Sequence, residues 1–453
     1  MAETSAQLVQ AARIEALGGH HIYDAAARMR RSQPGDSFRT ARLLGEVVGA
    51  WRRRDFAPRR EMIAAIGAAW GHSEPLLDSS TDALLAPFTD DSMRAFAANF
   101  AVNQGEQKQH GELIGMVMPG NLPGAGLHEV ILGLLSGKGL ILKTSAAEPF
   151  FFAAFEQTIR QFDETLGNRM AVFNWDRDSE DMTAALRASC DWLVAFGDDE
   201  TMQHFEAEAG RNNSGREQTR QFRAGFGRRF SGAYVGKDGA AEDDARRWWA
   251  VIDAFALDIS LFEQAGCLSP HHIFVEERKQ TVGSSDRKRS VGKAYNFAAS
   301  LASALERIIR VNLTPPSRIG LETAAALRRV RESARWRAIG GESVAIWEGE
   351  RLGWTVIYDE DAIFTPSPGY RTVTVSSVRD ADDMARCLAE VNGRLEAFAL
   401  AGSNQNDVRR CLTERGASYL CAPGKMQSPP LTWRHGGGQF LDALMTIPRV
   451  RDE

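Results

Sequence analysis

The sequence predicts an α/β protein: two successive blocks of alternating strands and helices behind a helical N-terminal region. Three observations carry this. From about 105 to 230, short apolar runs recur between amphipathic stretches, the βαβ rhythm that builds parallel sheet. From 233 to about 425 the rhythm resumes after a polar, basic interval. And 453 residues, 43% apolar and 25% charged, can bury a large core and suggest two to three domains.

Residues 1 to about 104 read as mainly helical. Within them Ser37 to Trp51 sets Phe38, Ala41, Leu43, Leu44, Val47 and Val48 at helical spacing. Arg52-Arg53-Arg54 suits a helix C-terminus; a phosphate- or CoA-binding patch is the alternative. The next block predicts strands at Leu113–Met118, Gly139–Lys143, Met170–Phe173 and Trp192–Phe196. Helices at Gly126–Leu135, Pro149–Phe162 and Ser179–Ala188 lie between them. Residues 208 to 230, rich in arginine and interrupted by Asn212-Asn213-Ser214-Gly215, read as a surface connection. Further strands are expected at His272–Glu276, Thr355–Tyr358, Thr372–Val375, Ala397–Ala401 and Ser418–Cys421. Helices Val291–Arg310, Leu321–Ala334, Ala381–Glu390 and Asn406–Arg415 connect them, and Lys279 to Lys293 is a polar loop.

Composition excludes several classes. The net charge of −5 offers no strong field to nucleic acid. Five irregularly spaced cysteines show neither zinc spacing nor a disulfide framework, and an odd count suits a reducing cytoplasm. The first ten residues are polar, unlike a secretory signal. No run of eighteen apolar residues occurs, so no membrane-spanning helix is expected.

Three segments carry chemistry. Phe262-Glu263-Gln264-Ala265-Gly266-Cys267-Leu268-Ser269-Pro270 puts one cysteine on a tight turn before the apolar run His272-Ile273-Phe274-Val275. A thiolate beside a backbone N–H can attack a carbonyl and stabilise the resulting oxyanion, although many free cysteines are only small buried residues. Upstream, an apolar run ends in Met118-Pro119-Gly120-Asn121-Leu122-Pro123-Gly124. Prolines fix that turn and glycines bend it. An amide held so rigidly could donate to a developing oxyanion, or it could serve its own turn. Third, Leu140-Ile141-Leu142-Lys143-Thr144-Ser145 reads as a buried strand ending in a lysine, at the edge where parallel sheets bind ligands.

Taken in order, these segments resemble the aldehyde dehydrogenase superfamily, and more closely its acyl-thioester (acyl-CoA) reductases of the bacterial luminescence type. The resemblance covers roughly residues 105 to 445. Pro119-Gly120-Asn121-Leu122-Pro123, the strand-lysine segment Lys143 to Pro149, and Phe262 to Cys267 match the superfamily. The continuation Cys267-Leu268-Ser269-Pro270-His271, the segment Pro368-Gly369-Tyr370-Arg371-Thr372-Val373 and Trp433-Arg434-His435-Gly436-Gly437 look like the luminescence branch.

The resemblance implies two Rossmann-like three-layer α/β/α domains with a helical N-terminal region. Residues 1–104 would pack on a cofactor domain at 105–232. A catalytic domain would follow at 233–425, and a C-terminal return or oligomerisation segment at 426–453. It makes Cys267 the nucleophile and Asn121, with the Cys267 N–H, the oxyanion hole. It puts Pro119, Lys143, Ser145 and Gly197 on a nicotinamide cofactor, and it names no metal. Where hydrolytic relatives carry a general-base glutamate, about 34 residues before the cysteine, this chain reads Arg228-Arg229-Phe230-Ser231-Gly232-Ala233-Tyr234, without a carboxylate. That favours exchange with a thiol over release of a free acid. Where NAD-preferring relatives carry a ribose-binding glutamate, it has Ala146, which would not repel a 2′-phosphate; NADPH is therefore expected, with NADH the alternative. The turn after Gly197 is acidic (Asp198, Asp199, Glu200) where relatives often have Ser or Thr.

The expected reaction is NADPH-dependent reduction of an acyl-CoA or acyl-carrier thioester to the aldehyde. Aldehyde oxidation and acyl transfer without redox are the rivals. A homo-oligomer, pairing through Gln104–Gly111 and Leu441–Val450, and an acyl-activating partner enzyme are expected from the resemblance alone.

Overall fold

The computed structural model describes residues 18–32, 36–104, 112–176, 178–207, 222–240, 242–277, 292–311, 313–403 and 405–445. It opens with helices α1 (His20–Arg31), α2 (Ser37–Arg52), α3 (Ala57–Trp70), α4 (Glu74–Leu85) and α5 (Asp90–Gln104). The side chain of Asp36 starts α2 by accepting the N–H groups of Phe38 (3.2 Å) and Arg39 (3.4 Å), satisfying first-turn donors that have no partner within the helix. The basic end of α2 is spent on the protein itself. Arg52 donates to Leu85 O and Ala86 O, Arg53 pairs with Asp55, and Arg54 pairs with Asp82.

The first α/β block runs β1 (Leu113–Val117), α6 (Leu127–Leu135), β2 (Gly139–Thr144), α7 (Phe150–Phe162), α8 (Glu164–Gly167), β3 (Met170–Asn174), α9 (Glu180–Ser189), β4 (Trp192–Phe196), α10 (Asp199–Ala207) and β5 (Phe222–Phe226). The second runs β6 (Phe230–Val235), α11 (Ala245–Ser260), β7 (Pro270–Glu276), α12 (Lys293–Val311), α13 (Leu321–Ile339), β8 (Val344–Glu348), β9 (Thr355–Asp359), β10 (Thr372–Val378), α14 (Ala381–Cys387), β11 (Leu395–Ala401), α15 (Asn406–Glu414) and β12 (Tyr419–Cys421). A last helix, α16, spans Gln439–Met445.

The chain divides into two compact units: Met1–Ala69 with Thr81–Arg228 and Pro430–Glu453, and Trp70–Ser80 with Arg229–Pro429. In the first, the described strands form one parallel sheet in the order β3-β2-β1-β4-β5. Helices α1 and α9 cover one face, where Ile22, Met29, Met182 and Leu186 meet Leu113, Ile141 and Leu193. A Cβ on Gly115 would stand 3.0 Å from Leu186, Cys190 and Leu193 alike, so a side chain there would press on all three. Elsewhere in the unit Trp51 of α2 packs against Phe151 and Phe155 of α7 (ring centroids 5.3 and 5.5 Å).

In the second unit the order is β12-β11-β6-β7-β10-β9-β8, parallel throughout except for β8, which runs antiparallel to β9. Strands β6, β7 and β11 are almost wholly buried, the near-continuous apolar runs expected of parallel strands covered on both faces.

The α/β class and the helical N-terminal region stand as the sequence predicts. One segment needs correcting. The surface connection expected over 208–230 contains β5, which pairs in parallel with β4 at the sheet edge. Phe226 is buried and stacked on Phe196 (4.7 Å, 14°), and that burial holds the strand against its basic surroundings. Residues 208–221 lie outside the described residues. So do 278–291, most of the expected polar loop, 105–111, most of the first expected pairing segment, and 446–453, which takes in half of the second. Among the described residues no helix is long and apolar enough to cross a membrane.

Candidate functional site

The first unit gathers its candidate residues at the carboxyl edge of β1, β2 and β4. β1 stops at Val117, and the Met118 N–H reaches Lys143 O (2.9 Å), so the chain leaves the sheet with Pro119, half-buried, Gly120, and Asn121, exposed. A Cβ on Gly120 would stand 2.3 Å from Ser145 Oγ and 3.2 Å from Ala147 Cβ. The asparagine turn and the segment after Lys143 are thus in direct contact, which only glycine permits. The turn closes with Gly124 (φ 68°) and Gly126 (φ 88°). Buried Glu148 secures both sides by accepting the N–H groups of Phe150 (3.0 Å), Phe151 (2.9 Å) and Gly124. Burial nevertheless pushes its carboxyl up to about 7. Lys143 lies with its ammonium 5.6 Å from the Trp175 ring centroid, and Ala146 is exposed. Pro119, Asn121, Lys143 and Ser145 are therefore neighbours on one edge.

Gly197 ends β4 on the same edge, its N–H bonded to Phe226 O (3.2 Å). Helix α10 follows, and the Asp198 carboxylate accepts the N–H (2.9 Å) and hydroxyl (2.8 Å) of Thr201. A carboxylate at this helix N-terminus offers repulsion to a diphosphate that an uncapped terminus would attract.

The C-terminal return completes this edge. Trp433, His435, Phe226 and Phe196 stack as four successive rings, 4.2, 4.3 and 4.7 Å apart. His435 Nδ1 lies 2.7 Å from the Glu129 carboxylate in the first turn of α6. Burial alone would raise the Glu129 carboxyl, but its imidazole neighbours His435 and His128 outweigh it and hold the group near 2. The Glu129–His435 pair had no signal in the sequence: the two residues are 306 positions apart.

The second unit carries Cys267. Helix α11 ends at Ser260 and the chain makes one tight turn, Leu261–Gln264. In it Phe262, Glu263 and Gln264 all hold left-handed backbone (φ 54°, 53°, 61°), and Tyr370 and Arg371 do the same (φ 50°, 55°). Such conformations cost non-glycine residues roughly 1–2 kcal/mol each and persist where surrounding contacts over-determine them. The contacts are present. Gln264 Nε2 donates to Pro270 O (2.7 Å) and Thr372 O (2.8 Å), while its Oε1 accepts from Thr372 N (2.7 Å). The Tyr370 N–H donates to Glu263 O (3.0 Å), and the Glu263 carboxylate pairs with the Arg371 guanidinium. The Phe262 N–H donates to Ser80 Oγ (3.1 Å).

Cys267 itself is half-buried. Ser231 Oγ, from β6, donates to Cys267 O (2.6 Å) and accepts the Ala397 N–H (2.9 Å). Gln427 Nε2 donates to Ser269 Oγ (3.0 Å) and to Asp258 O (3.2 Å). The Cys267 loop is thus anchored on both sides of the cysteine. Ala233, fully buried, lies in β6 between Ile273 and Ala399. The histidines close in sequence to these motifs have structural partners. His272, pushed down to about 3 by burial, meets Ser376 Oγ (2.8 Å). His271 Nδ1 accepts the Ser367 N–H (2.8 Å), and His128 Nε2 meets Leu431 O (3.0 Å).

An acyl-CoA reductase (LuxC) family model matches residues 72–447, most of the chain. The chain belongs to the acyl-CoA reductase (LuxC) family. Membership makes it an oxidoreductase of acyl and aldehyde chemistry. Solved structures give the fold. The HpcC of Thermus thermophilus is 15% identical (TM-score 0.61), covering 90% of this chain and 78% of that one. Betaine aldehyde dehydrogenase from Staphylococcus aureus, in complex with NAD+, is 12% identical (TM-score 0.62; 90% and 80%). Aldehyde dehydrogenase 21 from Physcomitrella patens, in complex with succinate, is also 12% identical (TM-score 0.62; 92% and 84%). At these identities the likeness is one of fold alone. No curated protein matches.

Proposed function

We propose that this acyl-CoA reductase converts an acyl thioester to its aldehyde with NADPH, through an acyl group carried on Cys267. The observation that supports it most is the Cys267 loop, a half-buried thiol whose backbone is fixed by Ser231, Gln264 and the strained turn ahead of it. The Cys267 thiolate adds to the thioester carbonyl, and the tetrahedral oxyanion is held by the Asn121 amide and the Cys267 N–H. The CoA or carrier thiolate leaves, and acyl-Cys267 remains. Pro119, Lys143, Ser145 and Gly197 hold the nucleotide, whose nicotinamide supplies the hydride to the acyl carbon when bound. The thiohemiacetal on Cys267 then loses its thiolate to give aldehyde. The segment Arg228–Tyr234 offers no carboxylate to activate water against the acyl group, so acyl-Cys267 passes to hydride or to a thiol rather than to water.

The lysine side of the edge fits a nicotinamide nucleotide. Lys143 and Ser145 adjoin the Asn121 turn, and exposed Ala146 presents no anion to a 2′-phosphate. The α10 terminus fits less well, because Asp198 already caps it. That one observation favours a second reading, acyl transfer from Cys267 without redox. In the leading reading residues 105–232 serve the nucleotide, 233–425 carry the nucleophile and 426–453 return to a homo-oligomer contact. The enzyme works in the cytoplasm beside an acyl-activating partner.

The test is NADPH consumption over a panel of acyl-CoAs, with the aldehyde trapped, on the parent and on Cys267→Ala. Cysteine-dependent aldehyde formation is expected. Acylation of Cys267 without NADPH binding or consumption would favour the transfer reading, and aldehyde formed by Cys267→Ala would refute the proposed role of the thiol.

A further inference from the structure

The segment Pro368-Gly369-Tyr370-Arg371-Thr372-Val373 is not used by the reaction as proposed, yet it is stitched to the nucleophile turn at successive residues. The Tyr370 N–H meets Glu263 O, the Thr372 N–H meets the Gln264 carboxamide, and between them Arg371 reaches Glu263. Both charged side chains are buried, Arg371 fully and Glu263 at 3% exposure. Arg371 Nη1 also donates to Leu313 O (2.6 Å). The pair is not arranged for greatest stability. Glu263 Oε2 and Arg371 Nε are buried without a hydrogen-bond partner, and apolar residues of similar volume often serve a core as well as a buried ion pair does. What a directional pair adds is register, because it fixes where two left-handed turns meet.

We propose that Glu263 and Arg371 are positioning residues for Cys267, their ion pair locking the Phe262–Gln264 turn against Tyr370–Arg371 so that the thiol three residues on is held in one attacking orientation. The inference rests on the reading of Cys267 as the acylated nucleophile. A loop released from this lock keeps its thiol but presents it in several orientations. A misplacement of about 1 Å at a reacting atom can slow chemistry on the order of 100-fold.

The deciding variant is the double substitution Glu263→Gln with Arg371→Met, which removes both charges and so leaves neither buried unpaired. Three quantities are measured: melting temperature, KM against kcat for acyl-CoA, and the single-turnover rate of Cys267 acylation by mass spectrometry. A folded protein with near-parent KM, and with kcat and acylation rate both reduced about 100-fold, is expected. Parent-like acylation in the folded double variant would overturn the positioning role. Should that variant not fold, Glu263→Asp decides, since it keeps the charge but withdraws the carboxylate by one methylene. It is expected to slow acylation about tenfold or more, and a parent rate overturns the proposal. Cys267→Ala serves as the control. If it still became acylated, the reading of the nucleophile would fall and the proposal with it, whereas an inert Cys267→Ala beside a parent-like double variant would remove the positioning role alone.

Discussion

Replacing Gln264 by leucine isolates the clamp beneath the Cys267 loop. The two side chains are close in volume, so the change opens little cavity at this buried site. It removes three short hydrogen bonds, to Pro270 O, Thr372 O and Thr372 N. Two of the groups left behind keep a partner: the Thr372 N–H retains Gly369 O at 3.2 Å and Thr372 O retains Ser367 Oγ at 2.6 Å. The loss is therefore that of three net bonds, each about 1 kcal/mol, rather than three full desolvation penalties. That sum of about 3 kcal/mol falls on a unit of roughly 200 residues, where each kcal/mol lowers the melting temperature by about 2–4 °C. A drop of about 6–12 °C in the transition of the Cys267-bearing unit is expected in calorimetry, with reduced kcat. A drop below about 2 °C with unchanged kcat would show that the clamp does not hold the turn.

Other perturbations have defined outcomes. Burial raises Glu148, Asp258 and Glu263 to about 7. The folded protein then binds more protons than the unfolded chain between each group's ordinary value and about 7, so these carboxyls reduce stability as pH rises through that window. Glu148→Gln should therefore gain stability relative to the parent between about pH 5 and 8 in urea titrations, and a pH-independent difference would contradict the shift. Glu129, held near 2, has the opposite sign: it stabilises above its ordinary value, and that contribution is lost as pH falls through about 4.5 toward 2. Glu129→Gln should lower the denaturation midpoint near neutral pH, with the difference shrinking in acid, and an unchanged midpoint would refute this. Ala146→Glu, on an exposed position beside Ser145, should raise KM for NADPH relative to NADH about tenfold or more, whereas an unchanged ratio would separate residue 146 from the ribose.

Much of the fold was legible because parallel strands buried on both faces write short apolar runs. Trp192–Phe196 and Thr355–Asp359 are examples. Strands β5 and β6 were harder to read. One is five residues containing an arginine and a glycine, and the other is built around Ser231-Gly232-Ala233, with little β-branched content. The site residues were legible as motifs on turns, but their supports were not. Nothing in Phe262-Glu263-Gln264 announces left-handed backbone, for no glycine stands there. Glu263 and Arg371 are 108 residues apart and Ser231 and Cys267 are 36 apart, so only the packed sheet brings each pair together.

The most direct measurement is the intact mass of the protein after mixing with acyl-CoA in the absence of reductant, followed by addition of NADPH. One acyl increment on Cys267, absent in Cys267→Ala and discharged as aldehyde when NADPH is added, is the predicted result. An unmodified protein that nevertheless releases aldehyde once NADPH is present would contradict the acyl-cysteine route.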